Sequence, residues 1–199
     1  MMAHIDYYFS TLSPFTYMAG TNLEKIAARH NASIRYKPMD ILDVFSNTGG
    51  LPPKDRHWSR KAYRLQDIRR SAKQAEMPIN VKPAHWPTDP LPSCYALIAA
   101  QEAGFAVGDA AHAFLRACWA KEKDIAQADV VSEVLASSGV AEAAIASHMQ
   151  SAAEIFETNT REAIQGGVFG APFYVVGDER FWGHDRLDQL DAYLPEISG

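Results

Sequence analysis

Up to Asp40 the chain sets out a strand, a helix and a second strand, an order that restricts the fold more than any other stretch. "HIDYYFS", residues 4–10, is aromatic and β-rich and predicts a strand. From Pro14 to about His30 the apolar residues Phe15, Met18, Leu23, Ile26 and Ala27 recur at roughly helical spacing. "ASIRYKPMDI" then alternates around Ile34 and Tyr36, a second strand ended by Pro38. Two strands joined by a helix form a parallel pair through a right-handed crossover. The other end of the chain closes differently. Phe173–Val176 and Arg180–Trp182 are short β-like runs meeting at Gly177–Asp178, which predicts a hairpin, and "HDRLDQLDAYL" places Leu187, Leu190 and Leu194 on one helical face.

The region between is helical in character. A Gly/Pro-punctuated loop, "SNTGGLPPKDRHWS", leads to a basic helix, "RKAYRLQDIRRSAKQA". The irregular run "PINVKPAHWPTDPLPS" holds five prolines and ends on Ser93, a candidate cap for a helix starting at Cys94. Ala-rich helices continue to about Gln165, with breaks near Gly104, Gly108, Asp124 and Gly139. The outline is βαβ, a helical block, then ββα: an α/β domain with a mixed sheet and a helical satellite.

Composition narrows the function. At 199 residues a core forms without metal or disulfide, and a net charge of −5 argues against a nucleic-acid partner. No apolar run is long enough to span a membrane, so no membrane partner is expected. Cys94 and Cys118 show neither CxxC nor metal-ligand spacing, so no metal is expected. Both thiols are expected in the helical block, well away from the first strand–helix joint. "MMAHIDYYFS" lacks a basic segment followed by a long apolar one, and a reducing cytoplasm is the expected location.

Chemistry gathers at "FSTLSPFTYMAG", where Ser13 falls at the N-cap and Pro14 at the first helical position. Ser13 reads two ways. It caps the helix, or it also donates to an anion at the helix start, such as a thiolate whose pKa falls in that field. No cysteine lies nearby in sequence, so such a thiol comes from a ligand. In "GVFGAPFYVVG", Ala171–Pro172 is a candidate cis peptide that would turn the Ala171 backbone toward an extended peptide, or an ordinary trans proline opening a strand. In "FWGHDR", His184 and Asp185 either cap the last helix or receive the ammonium and carboxylate of an α-amino acid group.

Together, "YYFSTLSPFTYMA" and "GVFGAPFYVVGDERFWGHDRL" resemble the 2-hydroxychromene-2-carboxylate isomerase family, related to kappa-class glutathione transferases within the DsbA-like branch of the thioredoxin fold. The resemblance covers nearly the whole chain. It implies a thioredoxin-like domain from residues 1–45 and 166–199, with linker loops and a helical insertion over 46–165. The implied cofactor is glutathione: Ser13 holds its sulfur as thiolate, Ala171 pairs with its backbone, and Trp182, Gly183, His184 and Asp185 hold its γ-glutamyl end. The chain departs from the family in "FSTLSP", where an acidic "DFxSP"-like opening is usual, and in His184, where Asn or Ser is usual.

For a carboxylated aromatic substrate, the matching loops supply Asn47, Lys54, Arg60, Lys61, His85 and Trp86. A carboxylate calls for a cation and a ring for an aromatic wall. On their own residues, Lys54, Arg60 and Lys61 read equally as a solvated basic face, Trp86 as a packed loop anchor, and His85 as an ordinary histidine. The implied reaction is glutathione-dependent isomerisation of 2-hydroxychromene-2-carboxylate to trans-o-hydroxybenzylidenepyruvate, in bacterial breakdown of naphthalene-like aromatics, by a homodimer. Conjugation of glutathione to another electrophile would use the same residues, and a non-catalytic glutathione- or peptide-binding module is a further alternative. Thiol–disulfide exchange suits the fold but not Ser13-Pro14-Phe15-Thr16.

Overall fold

The structure, a computed structural model, describes residues 2–197. Its centre is strand β1 (His4–Phe9), whose residues alternate between two cores. Ile5, Tyr7 and Phe9 enter the larger one, and Tyr8 enters a smaller one with Met39, Val44, Ala163, Val168 and Phe173. Alternate side chains of a strand point to opposite faces, so helices cover both sides of the sheet. β1 pairs in parallel with β2 (Ser33–Pro38), from His4↔Ser33 to Phe9↔Pro38. On its other side it pairs antiparallel with β3 (Phe173–Val176), Tyr7 opposite Tyr174, and β3 pairs with β4 (Glu179–Trp182). The sheet order is β2-β1-β3-β4, the mixed sheet expected from the two chain ends.

The first crossover is two helices rather than one. α1 (Pro14–Ala19) stops at Gly20, whose φ of 56° takes it out of helical geometry while its N–H returns to Tyr17 O. α2 (Asn22–Arg29) resumes after Thr21 and buries Leu23, Ile26 and Ala27. A further helix, α3 (Ile41–Thr48), was not foreseen. Asp40 caps it by accepting from the N–H groups of Leu42 (2.9 Å) and Asp43 (3.2 Å), and Gly49 ends it in the left-handed region.

The helical section comprises α4 (Trp58–Gln74), α5 (Leu91–Glu102), α6 (Gly108–Trp119), α7 (Ala128–Ser137), α8 (Glu142–Ile145) and α9 (Met149–Gln165), with gaps at the expected breaks. α5 begins three residues earlier than expected. Asp89 accepts from Leu91 N at 2.9 Å, and Pro92 is tolerated in the first turn, whose N–H groups have no helical partner. Ser93 is therefore inside the helix rather than capping it, donating to Pro90 O (2.8 Å) and lying 3.0 Å from Thr11 Oγ1. A 3-10 turn at His184–Arg186 precedes α10 (Leu187–Ile197), which buries Leu187, Leu190 and Leu194 as the spacing predicts. Glu24 ties α2 to β2 and α6: its Oε1 accepts from Tyr36 Oη (2.6 Å) and meets His112 Nε2 (3.0 Å). Burial alone would raise this carboxyl, but the His112 and Tyr36 bonds outweigh it and hold it below the usual range.

Candidate active site at the start of helix α1

Ser13 caps α1 from extended backbone, φ −87° and ψ 120°. Its Oγ accepts from Thr16 N at 3.1 Å and donates to Ala171 O at 3.3 Å. The second bond is long for a hydroxyl donor, so little is lost when the proton turns to a better acceptor. One turn on, the Thr16 hydroxyl is fully buried and has no partner among the described residues.

The loop opposite is held by its own contacts. Ala171–Pro172 is cis, and Pro172 O accepts from Gly183 N at 3.0 Å. The Ala171 N–H has no partner among the described residues. Trp182 stands half-exposed with its indole against Gly170, where an added Cβ would lie 2.3 Å from Nε1, and against Phe169 edge-to-face. Gly183 takes φ 113°, a left-handed conformation that favours glycine, and a Cβ there would only push aside the exposed Asp185 carboxylate. Asp185 is exposed and paired with Arg186 at 2.8 Å. The His184 ring stacks on Phe15 (5.6 Å between centroids, 25° between planes), and burial lowers its pKa, so it is neutral at pH 7. Ser13, Ala171 and the 182–185 segment thus form one continuous patch around the N-terminus of α1.

The residues expected to meet the aromatic substrate divide. Trp86 joins the patch: its Nε1 donates to Leu12 O at 3.0 Å, and its ring packs at 5.5 Å on Trp119, a fully buried core residue. It is an anchor, fixing the residue that precedes Ser13. Asn47 bonds within its own helix to Asp43 O (2.9 Å) and Oδ1 (3.0 Å) and borders a groove of about 650 Å³ whose walls include Asp40, Tyr95 and Arg161 but not Ser13. Lys54, Arg60, Lys61 and His85 are exposed; Lys61 Nζ reaches only Lys54 O, and no hydrogen bond or ion pair joins these four to Ser13, Ala171 or residues 182–185.

Two features of the site were missed in the sequence. Phe15, which the sequence shows only as one of the apolar residues at helical spacing, lies half-buried between His184 and Arg64. Arg64 was not singled out, although it precedes the buried Ile68 and Ala72 by four and eight residues and so shares their helix face.

Cys94 also departs from expectation. Its Sγ lies 3.6 Å from Thr11 Oγ1, on the loop feeding Ser13, because α5 packs beneath that loop. Burial pushes the Cys94 and Cys118 thiols up to about 12, so both are protonated at neutral pH and lack the reactive thiolate. At pH 7.5 an aromatic disulfide reagent should leave both unlabelled in the native chain and modify both after denaturation. Rapid labelling of either before unfolding would contradict this burial.

The DSBA-like thioredoxin domain model matches residues 4–195. A 2-hydroxychromene-2-carboxylate isomerase of Sphingobium xenophagum is 33% identical, the alignment covering 98% of this chain and 99% of the relative. A glutathione S-transferase kappa 1 of Caenorhabditis elegans is 24% identical over 98% of this chain and 92% of its own. A solved structure of a 2-hydroxychromene-2-carboxylate isomerase superimposes with a TM-score of 0.76 at 26% identity, covering 98% of this chain and 96% of that one. In sequence and in fold, this chain belongs to the 2-hydroxychromene-2-carboxylate isomerase family of DsbA-like thioredoxin-fold proteins.

Proposed function

We propose that the protein is a glutathione-dependent isomerase acting on 2-hydroxychromene-2-carboxylate or a close conjugated analogue. The observation that carries this reading is the placement of Ser13 Oγ between Thr16 N and Ala171 O, where one hydroxyl is both fixed and free to redirect its proton. The surroundings suit a thiol-bearing peptide: a free Ala171 N–H for its backbone, an unpartnered Thr16 hydroxyl beneath, and Asp185 exposed at the far end for an ammonium.

Glutathione, when bound, would supply a thiolate for reversible addition. Once the hemiketal ring C–O bond opens to a ketone and a phenol, addition to the conjugated carbon would make the double bond single and free to turn, and loss of the thiolate would restore it. The protein's part is positional. Ser13 Oγ donates to the sulfur and favours its ionised form, while the Thr16 N–H keeps Oγ in place. Neutral His184, stacked on Phe15, closes that side of the patch without adding charge.

The test follows conversion of chromene carboxylate spectroscopically with and without glutathione. Conversion that needs glutathione and returns it unconsumed supports the isomerase. The transferase relative favours a second reading, conjugation, in which glutathione leaves bonded to the product. Binding of glutathione without turnover of any aromatic electrophile would overturn both.

A further inference from the structure

Arg64 stands apart from the other arginines. Arg29, Arg35, Arg70 and Arg186 each pair with a carboxylate, Arg56, Arg161 and Arg180 bond to a carbonyl or hydroxyl oxygen, and Arg60, Arg69 and Arg116 are exposed to water. Arg64 is half-buried on α4, and its side chain has no hydrogen bond or ion pair to any described residue. Its guanidinium carbon lies 5.4 Å from the centroid of the Trp86 ring and 6.0 Å from that of Phe15. Burial, with a smaller contribution from the like charge of Arg56, lowers its pKa to about 10, which leaves it charged at neutral pH. A cation withdrawn from water without an anion has lost hydration that the two rings return only in part.

Geometry indicates what would return it. Aromatic rings engage a guanidinium through its faces, whereas its five N–H donors lie in its plane. Those donors are uncommitted, and a guanidinium edge matches a carboxylate bidentately. Both rings also belong to the Ser13 joint: Phe15 follows Ser13 by two residues, and Trp86 is bonded to Leu12, immediately before it. Burial, with a smaller contribution from the like charge of Arg60, lowers the pKa of Arg56, and Arg56 bears on Arg64 in turn, so these charges extend the positive field beside Arg64.

We propose that Arg64, between Phe15 and Trp86, is the specificity-determining cation of the site and binds the carboxylate of the second, conjugated substrate beside the sulfur position. This rests on the reading that such a substrate enters at Ser13, and it reassigns the carboxylate contact from Lys54, Arg60 and Lys61 to a residue at the patch itself.

Binding of trans-cinnamate and of its neutral isostere cinnamamide, measured calorimetrically with the full chain in the presence of glutathione, separates the outcomes. The wild type should bind the acid about tenfold or more tightly than the amide. Arg64→Met should abolish the preference, and Arg64→Lys, which keeps the charge and controls for folding, should retain part of it. Neither substitution should change glutathione affinity. Equal binding of acid and amide, binding of neither, or a preference that survives in Arg64→Met overturns the inference. Weakened glutathione binding in Arg64→Met does so as well, since the cation would then serve the glutathione carboxylates. An acid preference in a protein that turns over no chromene carboxylate would refute the isomerase reading alone.

Discussion

Ser13→Ala is expected to lower glutathione-dependent turnover about a hundredfold or more, the usual effect of removing one donor aimed at a reacting anion. The same hydroxyl caps α1, so Ser13→Ala should also cost about 1 kcal/mol of stability, too little to account for the lost rate. Ser13→Gly separates the two roles. Glycine is nearly as good a cap, within a few tenths of a kcal/mol, yet has no hydroxyl. It should therefore match Ser13→Ala in activity and approach the wild type in stability. The pKa of the bound thiol, followed by thiolate absorbance, should rise in both variants, because a bond to the ionised sulfur has been lost. Near-wild-type turnover and an unmoved thiol pKa in Ser13→Gly would leave the hydroxyl only its cap role.

Trp119→Ala should give the largest loss of stability, about 3–5 kcal/mol in urea denaturation, as expected for deleting a large buried aromatic. Its effect should reach the site. Trp119 supports the Trp86 ring, and its carbonyl accepts from Asn80 N at 2.7 Å, so the proline-rich loop rests on it from two points. Trp86 in turn holds Leu12. Trp119→Phe should cost less than about 1.5 kcal/mol: it keeps most of the ring and removes an indole N–H that is buried without a partner among the described residues. A loss in Trp119→Ala no larger than in Trp119→Phe would mean that the indole carries little packing.

What was legible in the sequence depended on short range. The hairpin turn at Gly177–Asp178, the gaps near Gly104 and Gly139 and the cap at Ser13 are properties of a few adjacent residues, and they appear as expected. Helix α3 was less visible because its cap, Asp40, follows closely on a strand and its buried face amounts to Val44 alone. The break at Gly20 was obscured by apolar spacing that runs on across it. Arg64, Phe15 and Cys94 show the opposite limit. Their significance lies in neighbours 22, 169 and 83 positions away, Trp86, His184 and Thr11, which no local pattern records. Of the loop residues expected at the substrate, Trp86 alone comes to the patch, because side-chain chemistry suggests a role but not a location.

The bond from Ser13 to Ala171 spans 158 positions, and β1 waits as long for its second partner, β3. On a ribosome, the first crossover and the helical section emerge well before the hairpin that completes the sheet. Closing so long a loop must be accomplished before any contact across it rewards the chain. A nascent chain halted before Pro172 would thus have α1 to α9 and its serine, but neither the β3–β4 hairpin that sets Ala171 against Ser13 nor the 182–185 segment. The two walls of the Ser13 patch are therefore joined late, when the hairpin carrying Pro172 and the 182–185 segment pairs with a strand formed far earlier in the chain.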